Sequence, residues 1–375
     1  MANSDRFFNS ETLSPQKTRE VLSFEVSSSI LYKKELQRVF LKTGSDHLRE
    51  NGSKRKLLRK LCERSNQIQY NPIKILEAKG LKNDYYLNIL DWAPNGLISI
   101  ALGDKIITWN SETLLTNSYD LNQFFPFNEI DEYFSSLRFI SHGKKLIAGS
   151  PSGRISLFDL TTQKSNSFFS VLGGRVSTLE PVGDLLATGT RTGTITLYDF
   201  RTRKSVETLG NVHQLEVCGL KVDYEEKYLA SGGNENFACI WDLRMTEKPL
   251  LRVTDNNSAI KAIAWSPWAR GLVAFGAGSM DRRIRLWSTS STNCISSTMT
   301  PSQVCSIHWI SHRNEMVSCH GYLENDIRFW DYPSMTCITT IPAHQSRILQ
   351  SCLSPDGSII ATAAADEQLK FWLCK

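Results

Sequence analysis

The stretch Ile327-Arg328-Phe329-Trp330-Asp331 constrains this chain more than any other feature, because it recurs. Apolar and polar positions alternate in it, which is the period of a half-buried strand, and it closes on Trp-Asp. Near copies are Ile284-Arg285-Leu286-Trp287-Ser288 and Cys239-Ile240-Trp241-Asp242. Looser copies carry Trp109, Phe158 and Tyr198, and the last is Leu369-Lys370-Phe371-Trp372. The seven aromatic marks, at 109, 158, 198, 241, 287, 330 and 372, are spaced 40–49 residues apart.

A period of about 40–45 residues ending on Trp-Asp is that of a four-stranded WD-repeat blade. Seven copies predict an all-β fold, a seven-bladed WD-repeat β-propeller over residues 72–375. The length of 375 residues would otherwise suggest two or three domains; the repeat overrides that, because seven blades close into one ring. The last copy has no fourth strand after it. Residues 73–78 are therefore expected to supply it, so that the ring is closed by its N-terminal strand and exposes no free sheet edge there.

Ahead of the ring, residues 1–71 read as a mostly disordered, basic tail. Residues 1–72 carry 14 Lys and Arg against 8 Asp and Glu, whereas the remainder carries 29 against 30. With no interleaved aromatics in the basic part and a near-neutral propeller, nucleic acid is not an expected partner. Asp5-Arg6-Phe7-Phe8 has the form of a docking peptide, although chance clustering would also produce it. Ile30, Leu31, Leu36, Val39 and Phe40 give residues 29–42 the apolar stripe of a short helix that must bury against something. The run Lys54-Arg55-Lys56-Leu57-Leu58-Arg59-Lys60 is either a solvated charge run or a segment that docks on an acidic surface. Ser14-Pro15 is a minimal site for a proline-directed kinase.

No run of 18 apolar residues occurs, so no membrane span is expected. The start has no basic region followed by an apolar one, so no secretory signal is expected either. Nine cysteines, odd in number and without a C-x-x-C pair, read as reduced thiols packed inside an intracellular protein.

No constellation points to catalysis, so the chain does not read as an enzyme. His344, Thr362 and Asp366 resemble the parts of a nucleophilic site. Their spacing ahead of Trp372 instead suits a structural network that satisfies buried polar groups inside a blade. His213, Ser231 and Trp241 form a second set, and Asp281 before Trp287 a partial third. His308, His312 and His320 lack the companions of a metal site, and no glycine-rich phosphate loop lies between a strand and a helix. No metal and no cofactor are expected.

Several longer strings resemble the Fizzy and Fizzy-related proteins, co-activators of the anaphase-promoting complex, a ubiquitin ligase. They include Lys74-Ile75-Leu76-Glu77-Ala78, Asn83-Asp84-Tyr85-Tyr86-Leu87-Asn88-Ile89-Leu90-Asp91-Trp92, Ser231-Gly232-Gly233-Asn234-Glu235-Asn236, Ala259-Ile260-Lys261-Ala262-Ile263-Ala264-Trp265-Ser266-Pro267-Trp268, Ser302-Gln303-Val304-Cys305-Ser306-Ile307 and Leu353-Ser354-Pro355-Asp356-Gly357. They run in the family's order over about residues 72–373. Ser29-Ile30-Leu31-Tyr32-Lys33 and Lys56-Leu57-Leu58-Arg59 look like the Fizzy-related branch.

The resemblance implies a substrate-recognition co-activator that binds destruction-box and Lys-Glu-Asn degrons on the propeller. It implies ligase docking through a C-box at Asp5, Arg6, Phe7 and Phe8, with Lys56 and Arg59 assisting. Phe8 and Asn9 depart from the usual Asp-Arg-(Phe/Tyr)-Ile-Pro. By the same resemblance, Asp91 and Glu367 hold the destruction-box arginine in the groove between the first and last blades. Asn234, Asn236, Ser279, Gln303 and Arg347 hold the Lys-Glu-Asn peptide on the top face. The partners implied are subunits of the anaphase-promoting complex, degron-bearing substrates such as cyclins, and pseudosubstrate inhibitors, in nucleus and cytoplasm. Family members continue to a terminal Ile-Arg that docks a second ligase subunit. This chain reads to Leu373-Cys374-Lys375, which departs from that pattern. Two other readings stay open: a divergent degron-binding paralogue that does not activate, or inhibits, the ligase, and a generic WD-repeat scaffold.

Overall fold

The structure, a computed structural model, describes residues 71–125 and 131–374. The C-box-like peptide, the expected helix over 29–42 and the basic run around Lys56 and Arg59 lie outside the described residues. Seven four-stranded antiparallel sheets form the blades of a propeller. The inner strands are Leu90–Trp92, Ser136–Ile140, Val176–Val182, Val217–Val222, Ile260–Trp265, Gln303–Ile310 and Ile348–Leu353, for blades 1 to 7. Each packs on the next, and the inner strand of blade 7 meets that of blade 1. The fourth strand of blade 7 is Lys74–Glu77, paired antiparallel with Gln368–Leu373, with Glu77 opposite Gln368. Among the described residues no helix is long and apolar enough to cross a membrane.

The recurring aromatics are cores of blades. All seven marks are buried, and Trp241 is fully so. Between blades 3 and 4 it joins Val217, Leu220, Leu229 and Phe237 in one apolar cluster. The indoles also fasten polar groups. In blade 7 Trp372 Nε1 donates to Thr362 Oγ1 at 2.9 Å, His344 Nε2 lies 2.8 Å from the same hydroxyl, and His344 Nδ1 lies 3.0 Å from Asp366. Blade 4 repeats this with Trp241, Ser231 and His213, the last against Glu235.

Two blades vary the scheme. In blade 6 the imidazole comes from the second strand itself: Ser318 Oγ accepts from Trp330 Nε1 at 2.7 Å and lies 2.7 Å from His320 Nε2. Blade 5 uses Arg285, held by Asp281 at 2.6 Å and Asn256 at 2.7 Å. These are buried polar groups that must be paired wherever the chain supplies a partner. The His-Thr-Asp set is thus architectural, as its spacing led us to expect.

The inner strands of blades 3 to 7 each carry a bulge near their start, at Ser177, Cys218, Lys261, Cys305 and Leu349. A bulged residue drops out of the ladder and turns its polar groups elsewhere. Here they turn towards the segment Asn83–Ile89, which links the closing strand to blade 1 and lies across this end of the ring. Asn88 Nδ2 bridges the Ser177 and Cys218 carbonyls at 2.8 and 3.0 Å. Lys261 Nζ donates to the Leu87 and Leu349 carbonyls at 2.8 and 2.9 Å. Tyr85 Oη donates to the Val304 carbonyl, and Ile89 N to Gln350 Oε1. One strap is thereby fastened to blades 3 to 7, at the end of the ring where the inner strands begin, hereafter the top face.

Candidate functional site

Below the strap the channel opens as a cavity of about 500 Å³. Its wall over blades 1 to 4 is a run of alternating charges, Asp91, Arg138, Glu180 and Lys221. Arg138 lies 2.9 Å from Asp91 and 2.7 Å from Glu180, and Lys221 lies 3.2 Å from Glu180. Burial pushes the Glu180 carboxyl up to about 7 against the pull of Arg138. It pushes the His308 imidazole, hydrogen-bonded to Ser351 of the adjacent blade 7, down to about 4. The charges satisfy one another, so the wall reads as a lock between blades.

This wall corrects one expectation. Asp91 does not face Glu367 across the groove between blades 1 and 7. Its Oδ1 is taken by Arg138 and its Oδ2 by the backbone N–H of Phe139 at 2.8 Å, both from blade 2. The physical reason is register: Asp91 pairs with Ser99 part-way down the inner strand, whereas Glu367 sits in the turn above Gln368. The acidic neighbour that Glu367 does have is Glu77. Ala78 N donates to Glu367 O at 2.7 Å, and Gly80 N to Glu367 Oε1 at 3.1 Å. Both carboxylates are exposed. Glu77 otherwise touches Lys79 at 3.1 Å, an exposed pair that binds it only weakly. Two exposed carboxylates on neighbouring backbone, each only lightly engaged, are a chemical match for a guanidinium.

Glu367 also has φ 56, the left-handed region. The equivalent turn position, five residues before the aromatic mark, is Gly153 in blade 2 and Gly193 in blade 3, and Asn236 in blade 4, with φ 86, 89 and 69. Glycine is the unstrained choice there. Arg282 in blade 5 and Asn325 in blade 6 hold the same place with φ 54 and 49, so four blades accept a side chain in this turn, and in blade 7 that side chain is a carboxylate.

The five residues expected on the top face lie on that face, on blades 4 to 7. Asn234 is buried and accepts from Tyr86 Oη of the strap at 2.7 Å. Asn236 and Ser279 are half-buried in the turns after the second strands of blades 4 and 5. Gln303 begins the inner strand of blade 6, and its buried Nε2 has no hydrogen-bond partner among the described residues. Arg347 precedes the inner strand of blade 7. Its Nε and Nη2 donate to the side-chain and main-chain oxygens of Asn83 at 2.7 and 2.9 Å, and its Nη1 to Tyr322 Oη at 2.7 Å. Asp84 anchors the strap to Arg175 at 2.7 Å.

The motif reading missed Glu77 and Asp84 as acidic groups of the site, and Asn83, Tyr86 and Tyr322 as the partners that hold Arg347 and Asn234. A signal existed for Glu77: once the N-terminal strand closes blade 7, its last residue must lie beside the turn that carries Glu367.

The family profile described as the CDC20/Fizzy WD40 domain matches residues 76–372. Among curated proteins the chain is similar to the B-type cell cycle switch protein ccs52A of Medicago truncatula. The two are 36% identical over 307 residues, 82% of this chain and 63% of that protein. It is similar also to the WD repeat-containing protein srw1 of Schizosaccharomyces pombe, with 36% identity over 301 residues, 80% of this chain and 53% of that protein. A third is the anaphase-promoting complex subunit cdc20 of Dictyostelium discoideum, with 37% identity over 315 residues, 83% of this chain and 62% of that protein. The chain thus spans between about half and two thirds of these relatives' length. A chain in the crystal structure of a mitotic checkpoint complex matches with TM-score 0.78 and 34% identity, over 83% of this chain and 98% of that one.

Proposed function

The chain belongs to the CDC20/Fizzy family, and we propose that it is a substrate-recognition co-activator of the anaphase-promoting complex, binding short degrons on its propeller without catalysing a reaction itself. The Dictyostelium relative is named as a subunit of that complex, and the plant relatives as cell cycle switch or Fizzy-related proteins, which supports the assignment. In this reading Glu77 and Glu367 receive the arginine of a destruction box at the top rim of blade 7. Arg347, with Asn234, Asn236, Ser279 and Gln303, receives a Lys-Glu-Asn peptide on the top face. Asp84 is the acidic group of the strap nearest that face and suits the peptide's lysine. Each peptide makes few contacts, so useful affinity comes from ligase and propeller engaging one substrate together.

Arg347 carries this reading. Arg138, Arg175 and Arg285 each meet carboxylates. The three oxygens around Arg347 are neutral, so its charge, half-exposed on the top face, is left for a ligand. Titration of a labelled Lys-Glu-Asn peptide tests it: Arg347→Ala should weaken binding at least tenfold, as expected for loss of a charge-assisted hydrogen bond worth about 1.5–3 kcal/mol. Unchanged affinity would refute the site.

A further inference from the structure

We infer that Asn83 and Tyr322 are positioning residues for Arg347: they hold its guanidinium with the outer fork presented to a ligand carboxylate, and so set a preference for an acidic side chain over its amide. This rests on the peptide-binding reading above and adds to it where specificity comes from.

A guanidinium has five N–H donors. Asn83 takes the Nε donor and one on Nη2, and Tyr322 takes one on Nη1. What remains is one N–H on each terminal nitrogen, the pair that a carboxylate matches bidentately. An amide oxygen can accept from such a fork but brings no charge, and its NH₂ group is repelled by it.

Three separate elements converge to make the clamp: the strap, the turn after the second strand of blade 6, and the start of blade 7. The strap is not free to drift, because Asp84 is tied to Arg175 and Asn88 to two blades. The Tyr322 ring lies 4.9 Å from the guanidinium carbon, so it supports the group through its face as well as its hydroxyl. Tyr322 itself has φ 68. A bulky residue rarely adopts that conformation, and it is retained here where it delivers the ring to Arg347. An arginine fixed in advance gives up less rotamer freedom when the ligand arrives, and its direction admits fewer ligands.

The test uses the full chain and two fluorescent peptides, one containing Lys-Glu-Asn and its twin containing Lys-Gln-Asn. The unaltered chain should favour the Glu peptide by about tenfold. Tyr322→Phe, which keeps the ring and removes the hydroxyl, and Asn83→Ala should each cut that preference at least threefold. They should leave the affinity for the Gln twin within twofold and the thermal midpoint unchanged. Full discrimination retained in both variants would overturn the positioning role. Equal weakening towards both peptides would also overturn it, because that is what a merely structural contact does. An unaltered chain with no preference for the Glu peptide overturns the assignment of Arg347 itself, and the clamp with it.

Discussion

Glu77 and Glu367 are neighbours at the top rim of blade 7: Glu77 ends the closing strand opposite Gln368, and the amide of the next residue, Ala78, donates to the Glu367 carbonyl at 2.7 Å. Ring closure thus sets two exposed carboxylates side by side, although 290 positions separate them along the 375-residue chain. It does so at the boundary where the chain leaves blade 7 for the strap, and then for blade 1.

The left-handed turn makes Glu367 a test of function against stability. Glu367→Gly relieves the strained backbone but removes the carboxylate. Thermal melts should show stability unchanged or higher by up to about 1 kcal/mol, while a destruction-box peptide binds at least tenfold more weakly. A clear loss of stability with full peptide affinity would reverse the interpretation.

Asp91 should behave in the opposite way. Asp91→Ala strips a carboxylate from the half-buried Arg138 and leaves the Phe139 amide unpaired. Breaking a buried pair costs roughly 3–5 kcal/mol, and the lower end is expected here because Glu180 still faces Arg138. Denaturant titration measures it. The peptide affinity of the molecules that remain folded should be unchanged.

Thr362→Val keeps shape but removes the hydroxyl shared by Trp372 and His344. Two buried groups lose their common partner, so destabilisation of about 1–3 kcal/mol is expected. Urea titration of this variant against the unaltered chain checks the value. No change would mean that the network does not hold blade 7.

Acidification should destabilise the ring between pH 6.5 and about 4. Burial lowers His308 and His320 to about 4 from an ordinary value of 6.5. Their contribution is therefore full above 6.5 and is lost as the pH falls through about 4, because the unfolded chain takes protons first. Glu180, raised to about 7, acts oppositely: its contribution is full below 4.5 and is lost as the pH rises through about 7. Two histidines outweigh one carboxyl, so the melting temperature should fall on acidification, and His320→Asn should flatten that fall.

The blades were legible in the sequence because their marks are local. A Trp, its hydroxyl partner and the alternation around them fall within about a dozen residues, as Thr362 and Trp372 do. The strap was visible only as the string Asn83-Asp84-Tyr85-Tyr86. Its meaning lies in contacts with five other blades, made by the Ser177, Cys218 and Val304 carbonyls, the Lys261 amine and the Gln350 side chain, and no period announces them. Asp91 misled for the same reason: its partner Arg138 is 47 residues away on the next blade. Family position drew attention to Glu367, but strand register decides which carboxylate stands beside it.

The most direct test of the proposed role is reconstituted ubiquitylation by the anaphase-promoting complex, using a substrate that bears both peptides, with the full chain added or withheld. The account predicts that the unaltered chain stimulates ubiquitin transfer, and that a chain carrying Arg347→Ala and Glu367→Lys, folded to the same thermal midpoint, does not. Equal activity with and without the unaltered chain, or full stimulation by the double variant, would contradict it.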